Sequence, residues 1–563
     1  MRREVSVVNK KFSSFPILFA LLALLIGICA VVFPASAQAA PTSAGSITVS
    51  GTVASSYDAY QIFSANVVDG DSDAKIATEL AWASDAVRDA ALPVLHSAGM
   101  PNSQTTAQEA AEWLNTDSHL TSALSAQLAR SLQSSGAKSV ALNAGTAAEL
   151  PCGYWLIVAK DDAIAQGEAG TAPIMALVGG SAVTVKPKAA TPKVAKHVLE
   201  DGTAAWGKAA DATVGDDLYW RLSATVPAGL TAYDTYTVRF VDTMSAGLDP
   251  SKVAASMRVY VAAGADGGFD AVQTGKDGRV GTEPAKGWTD ITAQCATKVA
   301  VDGKTFTVRT GDLVAALGGA DAFTAGARVV AVYNAPLNSA CNHGIAKGNP
   351  NEVYLRYPRS PFADQSGDAG FTHTPSDDAC TYTWDLALTK RGSDGDKPLA
   401  GAVLSIADDR GRTLAADGTW DAEGKATVTT GEDGRVTVSG VDSGKLEVRE
   451  LKAPKGYTAF EGTCSVTVKA EGLDVDQVAA AKPKLTITAE SPLRADSADG
   501  STGSLEASLI NTPTGTPPSI TTGGFMPSTG DMAMYAAAAA AVAGAALIVV
   551  ALLVKRGGGS HKE

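Results

Sequence analysis

Three polar residues of different kinds stand where apolar side chains are expected. Trp384, Leu386, Leu388 and Lys390 share one parity of an alternating run. On a strand, that parity points the Lys390 amine the same way as the three apolar groups. Leu446, Val448 and Glu450 repeat the pattern, and so do Leu505, Ala507, Leu509 and Asn511. An amine or carboxyl buried alone is costly, so such groups pair, neutralise or react. The residues by themselves leave two readings open. One is a buried Lys390–Glu450 ion pair capped by Asn511; the other is a set of groups that react. A second set lies upstream, where Val194, Lys196 and Val198 share a face, as do Val238, Phe240 and Asp242. A third candidate faces solvent. Val183 and Val185 point inward, which puts Lys186 outside and, past Pro187, Lys188 as well.

The elements that must position these groups are short strands. From 193 to about 361 alternating runs recur, including Tyr236 to Phe240, Val329 to Tyr333 and Val353 to Tyr357. The same texture continues from Cys380 to Asn511, with turns such as Glu432-Asp433-Gly434. Strands at that spacing predict immunoglobulin-like sandwiches. The region before them is mixed. Ile47-Thr48-Val49, Tyr60 to Phe63, Trp155 to Val158 and Met175 to Val178 read as strands. Residues 75–135 are Ala-, Glu- and Gln-rich at helical spacing, broken at Gly99-Met100-Pro101. The predicted class is mainly β, with tandem sandwiches behind an α+β N-terminal domain.

Both ends read as targeting segments. Arg2, Arg3, Lys10 and Lys11 precede an uncharged apolar run from Ile17 to Phe33, and Ala35-Ser36-Ala37-Gln38-Ala39 follows. That order is a secretory signal over residues 1–39. Ala533 to Val554 carries no charge, enough to cross a hydrocarbon core of ~30 Å as a C-terminal transmembrane helix. Lys555 and Arg556 then mark the cytoplasmic end. Thr512 to Gly524 is Thr-, Pro- and Gly-rich and reads as an extended stalk. The expected organisation is 40–188 as the N-terminal domain, 189–375 as the middle sandwich and 376–511 as the last one. Residues 512–525 are the stalk and 526–563 the C-terminal signal.

Composition excludes several classes. Lys+Arg 46 against Asp+Glu 59 gives −13, against a nucleic-acid partner. Six His, no HExxH and no CxxC leave no metal or redox centre in view, and no cofactor is expected. No phosphate loop or nucleophile elbow occurs, so the chain is not expected to be an enzyme. Export permits disulfides. Cys295–Cys341 and Cys380–Cys464 are the chosen pairs, with crossed pairings left open, and Cys152 packs as a small hydrophobe.

Met526-Pro527-Ser528-Thr529-Gly530, followed by apolar span and basic tail, resembles the LPXTG sorting signal of Gram-positive surface proteins. By that resemblance a sortase cuts between Thr529 and Gly530 and holds Thr529 as a thioester. Leu388-Thr389-Lys390-Arg391, with Asp394 to Ala402, resembles the opening of the B-type immunoglobulin-like domain of Gram-positive adhesins. Leu446 to Tyr457 resembles the pilin E-box, YxLxExxAPxGY, departing at Leu446 and Val448. Val183 to Lys188 resembles the pilin motif, with Lys188 at the acceptor position and Lys186 in reserve.

The whole chain thus resembles the backbone subunit of sortase-assembled pili. The resemblance implies a spontaneous Lys390–Asn511 isopeptide bond promoted by Glu450. Its chemistry is sensible: burial favours neutral amine and neutral carboxyl, so Lys390 attacks while Glu450 polarises the amide and moves protons. It also implies polymerisation through Thr529, location at the cell wall, and pilus-type and wall-anchoring sortases, identical subunits, minor pilins and peptidoglycan as partners. A host ligand is left unidentified. The alternative is a wall-anchored adhesin or minor pilin that does not polymerise. In the middle domain the family places its amide near the end of a pattern that here reads Tyr357-Pro358-Arg359-Ser360-Pro361. Arg359 cannot acylate an amine, so Asp242 is expected to pair with Arg359 and Lys196, and no cross-link is expected here.

Overall fold

The computed structural model describes residues 44–515, except 72–73, 117–118, 188–190, 276–277 and 301–302. The signal segment, Lys188, the sorting signal and the C-terminal apolar span lie outside the described residues.

The N-terminal part holds two sheets. Strands β1 (Ala44–Val49), β2 (Ser56–Asp69), β3 (Lys75–Trp82), β4 (Val140–Asn143), β5 (Ala147–Pro151), β6 (Gly153–Ala159), β7 (Ile174–Val178) and β8 (Val183–Val185) order as β5-β1-β8 and β3-β2-β6-β7, with β4 on β2. Three helices follow β3: α1 (Asp85–Ser97), α2 (Ala107–Asn115) and α3 (Ser122–Ser134). Each starts where a hydroxyl accepts an orphan amide: Ser84 from Val87, Thr106 from Glu109 and Thr121 from Leu124. Thr106 and Glu109 complete a capping box. Their buried Ala and Leu residues close a core with Ile62, Phe63 and Leu156. The helical expectation from residue 75 is corrected at its start, because Lys75–Trp82 pairs antiparallel with β2.

The middle part is a sandwich of a six-stranded and a seven-stranded sheet. The first contains β9 (Lys193–Glu200), β10 (Tyr219–Val226) and β12 (Ala327–Asn334); the second contains β11 (Arg239–Met244), β13 (Asn349–Pro358) and β14 (Asp377–Tyr382). Trp220, Phe240, Phe306, Tyr333 and Tyr357 fill the space between them. The last part is a second sandwich. Its opening strand β15 (Trp384–Gly392) lies between β16 (Arg435–Val441) and the closing strand β19 (Ser504–Pro513). The facing sheet carries β17 (Gly444–Lys452) and β18 (Cys464–Glu471). β15 and β19 run parallel, with Lys390 beside Leu509 and Gly392 beside Asn511. The mainly β class with an α+β N-terminal part holds throughout the described residues.

Polar clamps join the parts. Arg130 of α3 forms an ion pair with Asp234 at 2.8 Å and stacks over Phe362. Between the sandwiches, buried Asp211 accepts from Trp384 Nε1 at 2.6 Å and from Ser443 N and Oγ at 3.0 and 2.6 Å. Arg412 grips Asp216 at 2.5 and 2.7 Å. Beside these, carboxylate oxygens of Glu200, Asp201 and Asp442 lie within 4.8 Å of one another. Burial, and then Asp211, pushes Glu200 up to about 8 and Asp442 well above its ordinary value.

A carboxyl raised on folding holds its proton in the folded state. The stability it contributes is therefore lost as pH climbs from the unfolded value toward the folded one. Asp442→Asn should stabilise the junction, and by more at about pH 8 than at about pH 5. Thermal denaturation at both values checks this; an equal gain at the two pH values would contradict it.

Candidate functional site

In the last sandwich the three polar residues found by parity meet. Lys390 is fully buried, Asn511 and Glu450 nearly so. The Lys390 ammonium donates to Asn511 Oδ1 and, at 3.3 Å, to the Leu509 carbonyl, and it lies 3.5 Å from Glu450 Oε1. Asn511 Nδ2 donates to both Glu450 oxygens, at 2.9 and 3.0 Å. Glu450 Oε2 also accepts from the Phe460 amide at 2.9 Å. The parallel register explains the contact: β15 and β19 put amine and amide side by side on one sheet, and β17 presents the carboxyl from the facing one. Burial lowers Lys390 to about 8, with Glu450 opposing it. The amine therefore meets the amide carbonyl while the carboxyl already holds the nitrogen that would leave.

The middle sandwich brings together a different set from the one expected. Lys196 Nζ bonds to Asp242 Oδ2 and, at 2.9 Å, to the Tyr333 hydroxyl. That hydroxyl donates to Asp242 Oδ2 at 3.0 Å and accepts from Asn351 Nδ2 at 2.8 Å. Lys196, Asp242, Tyr333 and Asn351 are all fully buried. Asn351 Oδ1 and Asp242 Oδ1 have no hydrogen-bond partner. Burial lowers Lys196 to about 8 and raises Asp242, each opposing the other's shift.

The pairing expected of Arg359 is overturned. Its guanidinium lies past the end of β13, donating to the carbonyls of Asp161 and Phe371 at 3.4 and 3.5 Å. The amide at this site is Asn351, which sequence reasoning missed. A signal existed: Asn351 shares its parity with Val353, Leu355 and Tyr357, and β13 is buried on that face from Asn349 onward. Of the two asparagines there, Asn349 is consumed by backbone, donating to Asn342 and Thr381 and accepting from Asn342.

The expected disulfides are also corrected. Cys295, Cys341, Cys380 and Cys464 are unbridged thiols, and Cys152 is buried. Their sulfurs face other groups. Cys295 turns to the Ile291 carbonyl, Cys341 to His343, Cys380 to the Thr381 carbonyl and Cys464 to the Val448 carbonyl. Lys186 is exposed, directly after β8.

Comparison with known proteins bears on the module that holds Lys390 and Glu450. The chain is 30% identical over 143 residues to the trypsin-resistant surface T6 protein of Streptococcus pyogenes serotype M6, covering 24% of each. The chain thus spans about a quarter of that relative's length. Among solved structures, the T6 backbone pilin of that serotype matches at 18% identity, with 84% of this chain and 98% of that one covered and a TM-score of 0.45. The major pilin SpaD of Corynebacterium diphtheriae matches at 15%, with 83% and 97% covered and a TM-score of 0.41. The family model described as a SpaA prealbumin-like fold domain matches residues 385–482, a stretch that holds Lys390 and Glu450.

Proposed function

We propose that this chain is a structural shaft subunit of a covalent surface pilus, joined head to tail by a sortase. The observation that carries the reading is the buried contact of Lys390, Glu450 and Asn511, which bridges the first and last strands of the module before the stalk. Nothing about a passive scaffold asks for an amine and an amide in contact there. A bond between them does: Lys390 Nζ attacks Asn511 Cγ, the Cγ–Nδ2 bond breaks, Glu450 relays a proton from the attacking amine to the leaving nitrogen, and ammonia departs. The bond would close a separation of 121 residues. By analogy with disulfides, that is worth up to about 4–5 kcal/mol.

Lys196, Asp242 and Asn351 support a second amide by the same chemistry. Asp242 takes the role of Glu450, and the unpartnered Asn351 carbonyl is the group the amine would attack. The other assignments rest on the sequence and on the surface-exposed T6 relative. Thr529 is the acyl donor, Lys188 the acceptor with Lys186 in reserve, and the pilus-type sortase, minor pilins and peptidoglycan are the partners. A surface fibre of this kind serves adhesion, and the chain itself is not an enzyme.

The ectodomain should weigh less than its sequence by one ammonia, about 17 Da, for each bond. Two bonds are expected, and peptide mapping should find Lys390 joined to Asn511 and Lys196 to Asn351. Glu450→Ala and Asp242→Ala should each restore one ammonia. Each also leaves a buried amine uncompensated, at a cost of roughly 3–5 kcal/mol in denaturant unfolding. With the amines lowered to about 8, bond formation on refolding should quicken about tenfold per pH unit up to that point and then level off. A full sequence mass in the wild type would end the cross-link reading.

Assembly is tested separately. Head-to-tail transfer makes an open fibre, so wall extracts should show a ladder of covalent multimers. Lys188→Ala should abolish the ladder and leave an anchored monomer, whereas Thr529→Ala should abolish both ladder and anchoring. A single anchored band in the wild type is the result for a non-polymerising adhesin or minor pilin.

A further inference from the structure

Strand β8 precedes the acceptor lysine, yet by its own pairing it should be insecure. It has three residues and, among the described residues, only β1 as a hydrogen-bonded neighbour, at the edge of a three-stranded sheet. Strands that short fray unless something else fixes their ends. Both ends are fixed here. At the far end, Ser50 N and Oγ donate to the Val185 carbonyl at 2.8 and 3.2 Å.

The near end is held from the β2–β3 hairpin. Lys75 Nζ donates to the carbonyls of Gly179 and Ser181 at 2.5 and 2.7 Å, and to Ser181 Oγ and Asp69 Oδ1 at 3.1 Å each. Asp69 in turn accepts from Ser181 N at 2.8 and 3.0 Å and from Ser181 Oγ at 2.9 Å. The approach is so close that a Cβ on Gly180 would come within 2.5 Å of Asp69 Oδ1. Gly180 also has φ +63, which favours glycine. The Lys75 side chain is only 11% exposed, although it stands at a hairpin end where a lysine ordinarily extends into water.

We infer that Lys75, with Asp69, is a positioning residue for acyl transfer to the lysine after β8, holding that strand against the domain so that the amine is presented to the thioester. The inference rests on the proposed acceptor role of Lys188 or Lys186. A nucleophile on a frayed strand samples many positions, and misplacement by about an ångström can cost roughly a hundredfold in rate.

The test separates the donor and acceptor halves of the reaction, using full-length chains in detergent with the pilus-type sortase. Thr529→Ala makes an acceptor-only chain; Lys186→Ala with Lys188→Ala makes a donor-only chain. Adding Lys75→Met to the acceptor should slow dimer formation roughly tenfold or more. Adding it to the donor should change nothing. Lys75→Arg, which can still donate to both carbonyls, should restore the acceptor rate, and Asp69→Asn should weaken it as Lys75→Met does. Hydrogen exchange should show the Val183 and Val185 amides losing protection in Lys75→Met and regaining it in Lys75→Arg. An acceptor rate unchanged in Lys75→Met overturns the inference, as does an equal defect in the donor. A donor-only chain that still accepts acyl groups instead overturns the acceptor assignment on which the inference rests, and the exchange data tell the two failures apart.

Discussion

The structure turns on the cost of placing a lysine amine between two apolar sheets. Water is the cheapest partner for an ammonium, and a sandwich core removes it. Lys196 and Lys390 are each fully buried, so each must find a carboxyl, and each does so from a strand far away in sequence. The two solutions differ in geometry. In the last sandwich, amine and amide are neighbours on one sheet and the acid faces them. In the middle sandwich the amine lies on one sheet, while Asp242 and Asn351 come from adjacent strands of the other. There the Tyr333 hydroxyl stands between lysine, acid and amide. Both amines are pushed down to about 8 by the same desolvation that makes them expensive. The groups that would destabilise an ordinary core are thus the ones best prepared to react.

How far this was legible depended on which physical signal each residue carries. Strand parity is strong when apolar neighbours surround one polar residue, and it located Lys390, Glu450 and Asn511 without help. The same rule applied to β13 would have reached Asn351, which follows the parity of Tyr357, Leu355 and Val353 back to the start of the strand. The family pattern points instead to the strand's far end, where Arg359 turns toward Asp161. Residues 75–82 misled for another reason. Ala and Glu favour helix, but β2 supplies an antiparallel partner on both sides of a bulge at Glu79 and Leu80, and tertiary pairing outweighs propensity of a few tenths of a kcal/mol per residue. The cysteines had no readable direction. Sharing a core with a second cysteine says nothing about where a sulfur points, and Cys380 and Cys464 pack in one cluster while facing different carbonyls.

The junctions follow a related logic with the opposite sign of charge. Between the sandwiches the chain concentrates carboxylates rather than amines, and offsets them with Arg410, Arg412, an indole N–H and a serine. Asp211 is the hinge of that arrangement, because one oxygen serves Trp384 and Ser443 of the next sandwich while its own strand runs parallel to β14. A junction satisfied this way cannot swing without leaving buried acceptors bare.

That constraint decides how a pull along the chain would be shared. The proposed amide from Lys390 to Asn511 would carry load across the last sandwich without using its hydrogen-bond ladders, and one from Lys196 to Asn351 would do the same for the middle one. The chain between Asn351 and Lys390 lies outside both closures. Its strength must come from non-covalent sources: the remainder of β13 paired with β11, and β14 paired with β13 and the strand Ala209–Asp211. The ion pair of Lys208 with Asp377 sits within that stretch, at the start of β14, and Asp377 also accepts from the Lys196 amide at 2.7 Å. A carboxylate there ties the open stretch to the strand that carries the reactive lysine. The charges of the middle sandwich would therefore do two jobs, preparing the proposed bond through Lys196 and bracing, through Asp377, the segment that no bond would protect.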